Sequence, residues 1–124
     1  MRRTGDILVV DDEANIVDLI SEVLNEEGYK VRRAHDGASA LISIDVCLPS
    51  LILLDMSMPD MVGTTLLHQL RQQHNDELPV VIMTAGAHSP AALVAQGASG
   101  YLAKPFDLND LIQCVSQYVD VAAV

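Results

Sequence analysis

A chain of 124 residues, half of them hydrophobic, has room for one domain with a proper core and little for a second, so residues 1–124 are read as a single unit. A formal net charge of −10 argues against binding of nucleic acid or an anionic membrane by the domain itself. No apolar run approaches the roughly eighteen residues of a membrane span, and Thr4-Gly5-Asp6 interrupts the start before an apolar stretch long enough for a secretion signal, which places the protein in the cytoplasm.

The first element is a short apolar strand, Ile7 to Val10. Glu13 to Glu27 has helical periodicity, with Ile16, Ile20, Val23 and Leu24 on one stripe, Asp18, Glu22 and Glu26 opposite, and Gly28 as C-terminal cap. Tyr29 to Ala34 is a second strand, followed by a helix capped by Asp36 and running to about Cys47. Leu51 to Leu54 is the third strand, and a helix from about Thr64 to His74 follows a loop. Pro79 to Met83 is the fourth strand, with a short, weak helix near Pro90 to Gln96 after it. Gly100 to Ala103 is the fifth. Asp107, three residues before Asp110, opens a last helix expected to turn Leu108, Leu111, Ile112, Val115 and Val119 inward.

Strands alternating with helices imply right-handed crossovers and a parallel sheet covered on both faces, an α/β fold. Continuous apolar strands belong inside such a sheet and polar ones at its edges. ILVV, LILL and VVIM are the inner strands and YKVRRA and GYLA the edges, which fits a doubly wound five-stranded sheet in the order 2-1-3-4-5. In that order ligands bind at the carboxyl ends of strands one and three, where the winding reverses. Asp11 and Asp12 follow strand one, and Asp55 follows strand three.

Clustered carboxylates repel one another, and a cation lets all three stay ionised. An all-oxygen, partly hydrated site suits Mg²⁺, which can also bridge to phosphoryl oxygens. Lys104 would neutralise a second oxygen, Thr84 could hydrogen-bond a third, and Asp55 at the centre is the nucleophile candidate. Taken singly, each feature has a plainer reading. An Asp pair is usually a helix cap, an Asp after a strand a loop starter, Lys-Pro a turn, and Tyr101 edge-strand packing. Their conjunction favours the site. Met56, Met58 and Met61 have the spacing of a soft-metal site but read better as loop packing. The first loop, Asp11-Asp12-Glu13, lacks the glycines and hydroxyls of a backbone phosphate cradle. His35, His68, His74 and His88 show no ligand spacing, and Cys47 and Cys114 read as reduced, partly buried thiols within helices.

These residues in this order resemble the receiver domain of two-component response regulators. The matching elements are Asp11-Asp12, D-x-x-M-P-x-x-x-G from Asp55 to Gly63 with Pro59 in the turn, Thr84-Ala85, and Y-L-A-K-P-F from Tyr101 to Phe106. The resemblance implies the flavodoxin-like receiver fold, with Asp55 accepting phosphate from a phosphohistidine on a sensor histidine kinase or phosphotransfer protein. Asp12 and Asp55 would bind Mg²⁺ directly, Asp11 mainly through water, and the Ser57 carbonyl would add a ligand. A cis Lys104-Pro105 bond would aim the ammonium into the site. Thr84 and Tyr101 would be the coupled switch, remodelling the face built by the fourth helix, fifth strand and fifth helix, where an output domain, a protein target or a second copy in a homodimer would bind. Such a domain catalyses its own phosphorylation and dephosphorylation rather than a metabolic reaction. The rival is a pseudo-receiver, a protein-interaction module in which contacts rather than phosphate set the state.

Two segments depart from the family. Thr84 to Gly97 is somewhat short, so the fourth helix should be brief. The second helix carries Ile42, Ile44 and Val46 where exposed charges are usual; two can be buried against the sheet, and packing is the preferred account over a contact surface. By the resemblance, Ser57 and Gly86, both small, would stand near the phosphoryl group at positions that tune its lifetime, which implies fast or ordinary self-dephosphorylation. The last helix runs into Val119 to Val124 with no linker, so the chain reads as a stand-alone receiver or a fragment.

Overall fold

The computed structural model describes residues 3–4, 6–56, 63–74, 78–84, 90–95 and 97–120. Ser57, Met58, Pro59, Met61 and Gly86 lie outside the described residues. In chain order the elements are β1 (Arg3–Thr4), β2 (Asp6–Val10), α1 (Ala14–Glu26), β3 (Lys30–Ala34), α2 (Gly37–Val46) and β4 (Leu51–Asp55). Then come α3 (Gly63–His74), β5 (Val80–Thr84), α4 (Pro90–Ala95), β6 (Gly100–Ala103), α5 (Leu108–Ser116) and β7 (Val119–Asp120).

Five strands form one parallel sheet in the order β3-β2-β4-β5-β6, the order expected from strand polarity. Alternate side chains point to opposite faces, and two cores result. Leu8, Val10, Ile52 and Leu54 pack with Ala40 and Ile44 of α2 and Leu66, Leu67 and Leu70 of α3. Ile7, Val9, Leu51 and Leu53 face Ile20 and Leu24 of α1 and Leu111 and Val115 of α5. Because both faces are covered, β2, β4 and β5 are buried almost throughout. The register pairs Val10 with Ala34 and Leu54, Asp55 with Met83, and Thr84 with Ala103, so the carboxyl ends share one edge.

Local chemistry sets the helix ends. Gly28, at φ +96°, follows α1, and the Tyr29 N–H returns to the Leu24 carbonyl at 3.0 Å. Asp36 accepts the Ser39 N–H at 2.7 Å, and Asp107 accepts the Asp110 N–H at 2.8 Å.

Four expectations need correction. α5 stops at Ser116, and Val119 is buried not on a helix but on β7, which pairs in parallel with β1. Leu108, at the first turn of α5, is exposed, because the stripe facing the sheet is carried by Leu111 and Val115. Only Ile44 of the α2 trio is buried; Ile42 and Val46, one helical turn apart, are 66% and 80% exposed. Cys47 ends α2 rather than lying within it, and is exposed.

Candidate functional site

The carboxyl edge of the sheet gathers Asp11, Asp12 and Asp55. Each of the three offers a carboxylate oxygen within 4.8 Å of the others'. Asp11 and Asp55 are buried, whereas Asp12 is exposed. The two aspartates after β2 therefore play different parts. Asp11 continues the sheet, donating its N–H to the Ala34 carbonyl at 3.1 Å, and its Oδ1 accepts the Glu13 N–H at 3.0 Å. That bond bends the chain back toward α1. The N-cap of α1 is Glu13, with no side-chain cap bond, so neither aspartate serves as the cap. The helix-cap reading of Asp11 and Asp12 is thereby set aside.

Lys104 enters from the end of β6. Its Nζ donates to Asp11 Oδ2 at 3.2 Å and to Asp55 Oδ1 at 3.1 Å. One ammonium thus spans two buried carboxylates. Burial opposes the charge on Lys104, but hydrogen bonding to Asp55 and the charges of Asp55 and Asp11 outweigh it, and its pKa is raised above the usual lysine range. The Lys104–Pro105 peptide bond is cis. The Lys104 N–H donates to the Thr84 carbonyl at 2.6 Å, tying the lysine's backbone to the end of β5. Thr84 itself is buried.

Of the residues singled out from sequence, the structure brings Asp11, Asp12, Asp55 and Lys104 together, with Thr84 joined to Lys104 through the backbone. Tyr101 stands apart, on the edge strand, with 44% of its surface exposed. Gly63 begins α3, and Pro105 follows the lysine and is exposed. Ser57 and Pro59, as noted, are outside the described residues. Sequence reasoning missed two backbone donors, the Glu13 and Lys104 amides, because a main-chain N–H has no side-chain signature. The donor set among the described residues fits a hard cation: three carboxylates, with one edge open through Asp12.

A parallel sheet in this order, with an acidic pocket where the winding reverses, defines the flavodoxin-like class of doubly wound domain. Within that class the sequence profile of the response regulator receiver domain matches residues 7–116, and this chain belongs to that family. Sporulation initiation phosphotransferase F of Bacillus subtilis is 36% identical over 115 residues, covering 91% of this chain and 92% of that protein. The transcriptional regulatory protein CpxR of Klebsiella pneumoniae is 41% identical over 108 residues, 86% of this chain and 45% of its own length. The chain spans between 25% and 46% of the length of the first curated relatives it matches. Among solved structures, the response regulator TrrA of Thermotoga maritima, in complex with Mg²⁺-BeF, superposes with a TM-score of 0.84 at 33% identity, covering 94% of this chain and 100% of that one.

Proposed function

We propose that this chain is the phosphoacceptor switch of a two-component phosphorelay, with Asp55 as the residue that takes the phosphoryl group. The observation that carries the reading is the Lys104 ammonium held between Asp11 and Asp55, with Asp12 close by. The relationship to a named phosphotransferase, and to a regulator solved with Mg²⁺ and a beryllium fluoride, supports it.

In this reading an Asp55 carboxylate oxygen attacks the phosphorus of a phosphohistidine on a sensor kinase or phosphotransfer protein. The P–O bond forms as the P–N bond breaks, and the imidazole leaves with the bonding pair and is protonated. Lys104 offsets charge on a phosphoryl oxygen, and the Thr84 hydroxyl donates to another. Asp12 and Asp55 would hold Mg²⁺ directly, Asp11 through water, with the Ser57 carbonyl as a further ligand. When bound, the cation supplies Lewis-acid stabilisation of phosphoryl charge. Asp11 starts from an orientation fixed by the Glu13 N–H and Lys104. Hydrolysis of the acyl phosphate resets the switch.

The readout is the face of α4, β6 and α5. In the present state Tyr101 is exposed on that face. Movement of the Thr84 hydroxyl toward the phosphoryl group, with inward turning of the Tyr101 ring, would remodel the surface for an output domain, a protein target or a second copy. A cytoplasmic location goes with this reading; no helix among the described residues is long and apolar enough to cross a membrane.

The deciding experiment is intact-mass measurement after incubation with acetyl phosphate, with and without Mg²⁺, beside Asp55→Asn. One phosphoryl adduct that needs Mg²⁺ and is lost in the variant is the expected result. No adduct from acetyl phosphate or from a phosphohistidine donor would reject phosphotransfer and leave a protein-interaction module.

A further inference from the structure

The segment between α4 and β6 is bound from both sides by residues that the phosphoacceptor site does not use. From α3, the Arg71 guanidinium donates through Nε to the Gly97 carbonyl at 2.7 Å, and through Nη1 to the Leu78 carbonyl at 2.7 Å. Its Nη2 reaches Ser99 Oγ at 3.2 Å. From beyond α5, the Tyr118 hydroxyl donates to the Ser99 carbonyl at 3.0 Å. Ser99 also closes onto the sheet: its N–H donates to the Val80 carbonyl at 2.8 Å, and its Oγ accepts the Val80 N–H at 3.0 Å.

Packing leaves as little freedom as the hydrogen bonds. Gly97 has φ +108°, and a Cβ there would come within 2.8 Å of Arg71 Cγ. A Cβ on Gly100 would meet the Tyr118 hydroxyl at 2.6 Å. Both glycines are thus sites where another element's side chain occupies the space of a Cβ. The contrast along the same face is sharp. α4 has only six residues, Val94 is 57% exposed, and Tyr101 is 44% exposed.

We propose that Arg71 and Tyr118 clasp residues 97–100 into a fixed base for the α4-β6-α5 face, so that switching moves α4 and the Tyr101 end of β6 about Gly97 while the base stays in place. The clasp ties α3 on one side and the turn after α5 on the other to the entry of β6 between them. It assigns Arg71 a positioning role at the end of the fold away from the carboxylates. The switching half of this inference rests on the phosphoacceptor reading; the clasp itself does not.

Amide hydrogen exchange on the whole chain separates the two. Without any phosphoryl mimic, Tyr118→Phe and Arg71→Lys should each speed exchange in residues 97–100 by about five- to tenfold, the loss of one or two net hydrogen bonds. The conservative changes keep the aromatic packing and the positive charge. In the wild type, beryllium fluoride with Mg²⁺ should alter exchange in residues 91–95 and 101–103 and leave 97–100 within about twofold. In either variant the mimic's effect should spread into 97–100. Unchanged exchange at 97–100 in both variants would overturn the clasp. A wild-type response at 97–100 as large as that at 91–95 would overturn the fixed base. A mimic with no effect anywhere would reject the phosphoacceptor reading and the switching half with it, while the mimic-free comparison judges the clasp.

Discussion

Among the described residues Lys104 is the cation paired with the carboxylate cluster, and replacing it by Met tests what holds that cluster together. At an effective dielectric of about 20, each ammonium–carboxylate contact near 3.1 Å is worth about 5 kcal/mol gross. The carboxylates, up to 4.8 Å apart, repel by about 3.5 kcal/mol per pair on the same scale. Desolvation of the ammonium offsets several kcal/mol of the attraction, and its 21% side-chain exposure reduces it further. The net cost of Lys104→Met in a chelator is therefore about 2–4 kcal/mol, near the lower end for a broken buried pair. Mg²⁺ at a hundred times its dissociation constant stabilises a folded protein by about 2.7 kcal/mol. The variant, with no ammonium competing for the carboxylates, should gain more than the wild type, and the deficit should shrink. Urea denaturation in chelator and in Mg²⁺ reads both. Equal stability in chelator, or a deficit that Mg²⁺ leaves untouched, would refute the charge balance described above.

Asp12→Ala should separate cation binding from folding. Its carboxylate is exposed and close to two like charges, so the cation-free protein should be unchanged or up to about 1 kcal/mol more stable. A tenfold loss of Mg²⁺ affinity would remove about 1.4 kcal/mol of the stabilisation by Mg²⁺, measured by titration calorimetry or thermal shift. Ser21→Ala should stabilise by about 1 kcal/mol, since Ser21 is buried on α1 with no partner for its hydroxyl among the described residues and Ala is the better helix former; a loss of stability would mean the hydroxyl is satisfied in solution. The Asp36 carboxyl is held below its usual pKa, first by the Ser39 backbone N–H. A carboxyl with a lowered folded-state pKa adds stability above the unfolded value of 3.8, and that stability is lost as pH falls through the folded value. Asp36→Asn keeps the cap without the titration, so any wild-type advantage at neutral pH should begin to shrink as pH approaches 3.8 and disappear only below the folded-state value, read in thermal melts.

The parts of the fold that sequence made legible are those where burial leaves a one-dimensional trace. ILVV, LILL and VVIM read as inner strands because helices cover both of their faces, and the sheet order followed from that contrast with KVRRA and GYLA. Asp36 and Asp107 were readable as caps because the bond each makes is three residues away. Other features leave no such trace. α2 spreads its apolar residues around the helix rather than along one stripe, so periodicity could not say that Ile44 faces the core while Ile42 and Val46 face out. The β1–β7 ladder joins chain segments more than a hundred residues apart through two residues on each side, too short for any strand pattern. Arg71 has no motif around it in the sequence; the fold brings Leu78, Gly97 and Ser99 to it.

The same distinction runs through the site. Carboxylates and a lysine at strand ends are visible in sequence, and the register of β2, β4 and β5 brings those ends to one edge. What separates Asp11 from Asp12 is not visible, since the two are chemically identical neighbours. The fold gives Asp11 the Glu13 N–H on one oxygen and the Lys104 ammonium on the other, while it leaves Asp12 toward solvent. A buried carboxylate with both oxygens occupied is suited to stay in place, and an exposed one is suited to gain and lose ligands. Exchange of an incoming cation should therefore depend most on Asp12, and the fixed geometry around Asp55 most on Asp11. Asp11→Asn keeps an oxygen for the Glu13 N–H but loses the charge facing Lys104; it should weaken the lysine's hold and lower apo stability more than Asp12→Asn does. Equal effects from the two substitutions on apo stability would mean that the inequality drawn by the fold has no energetic weight.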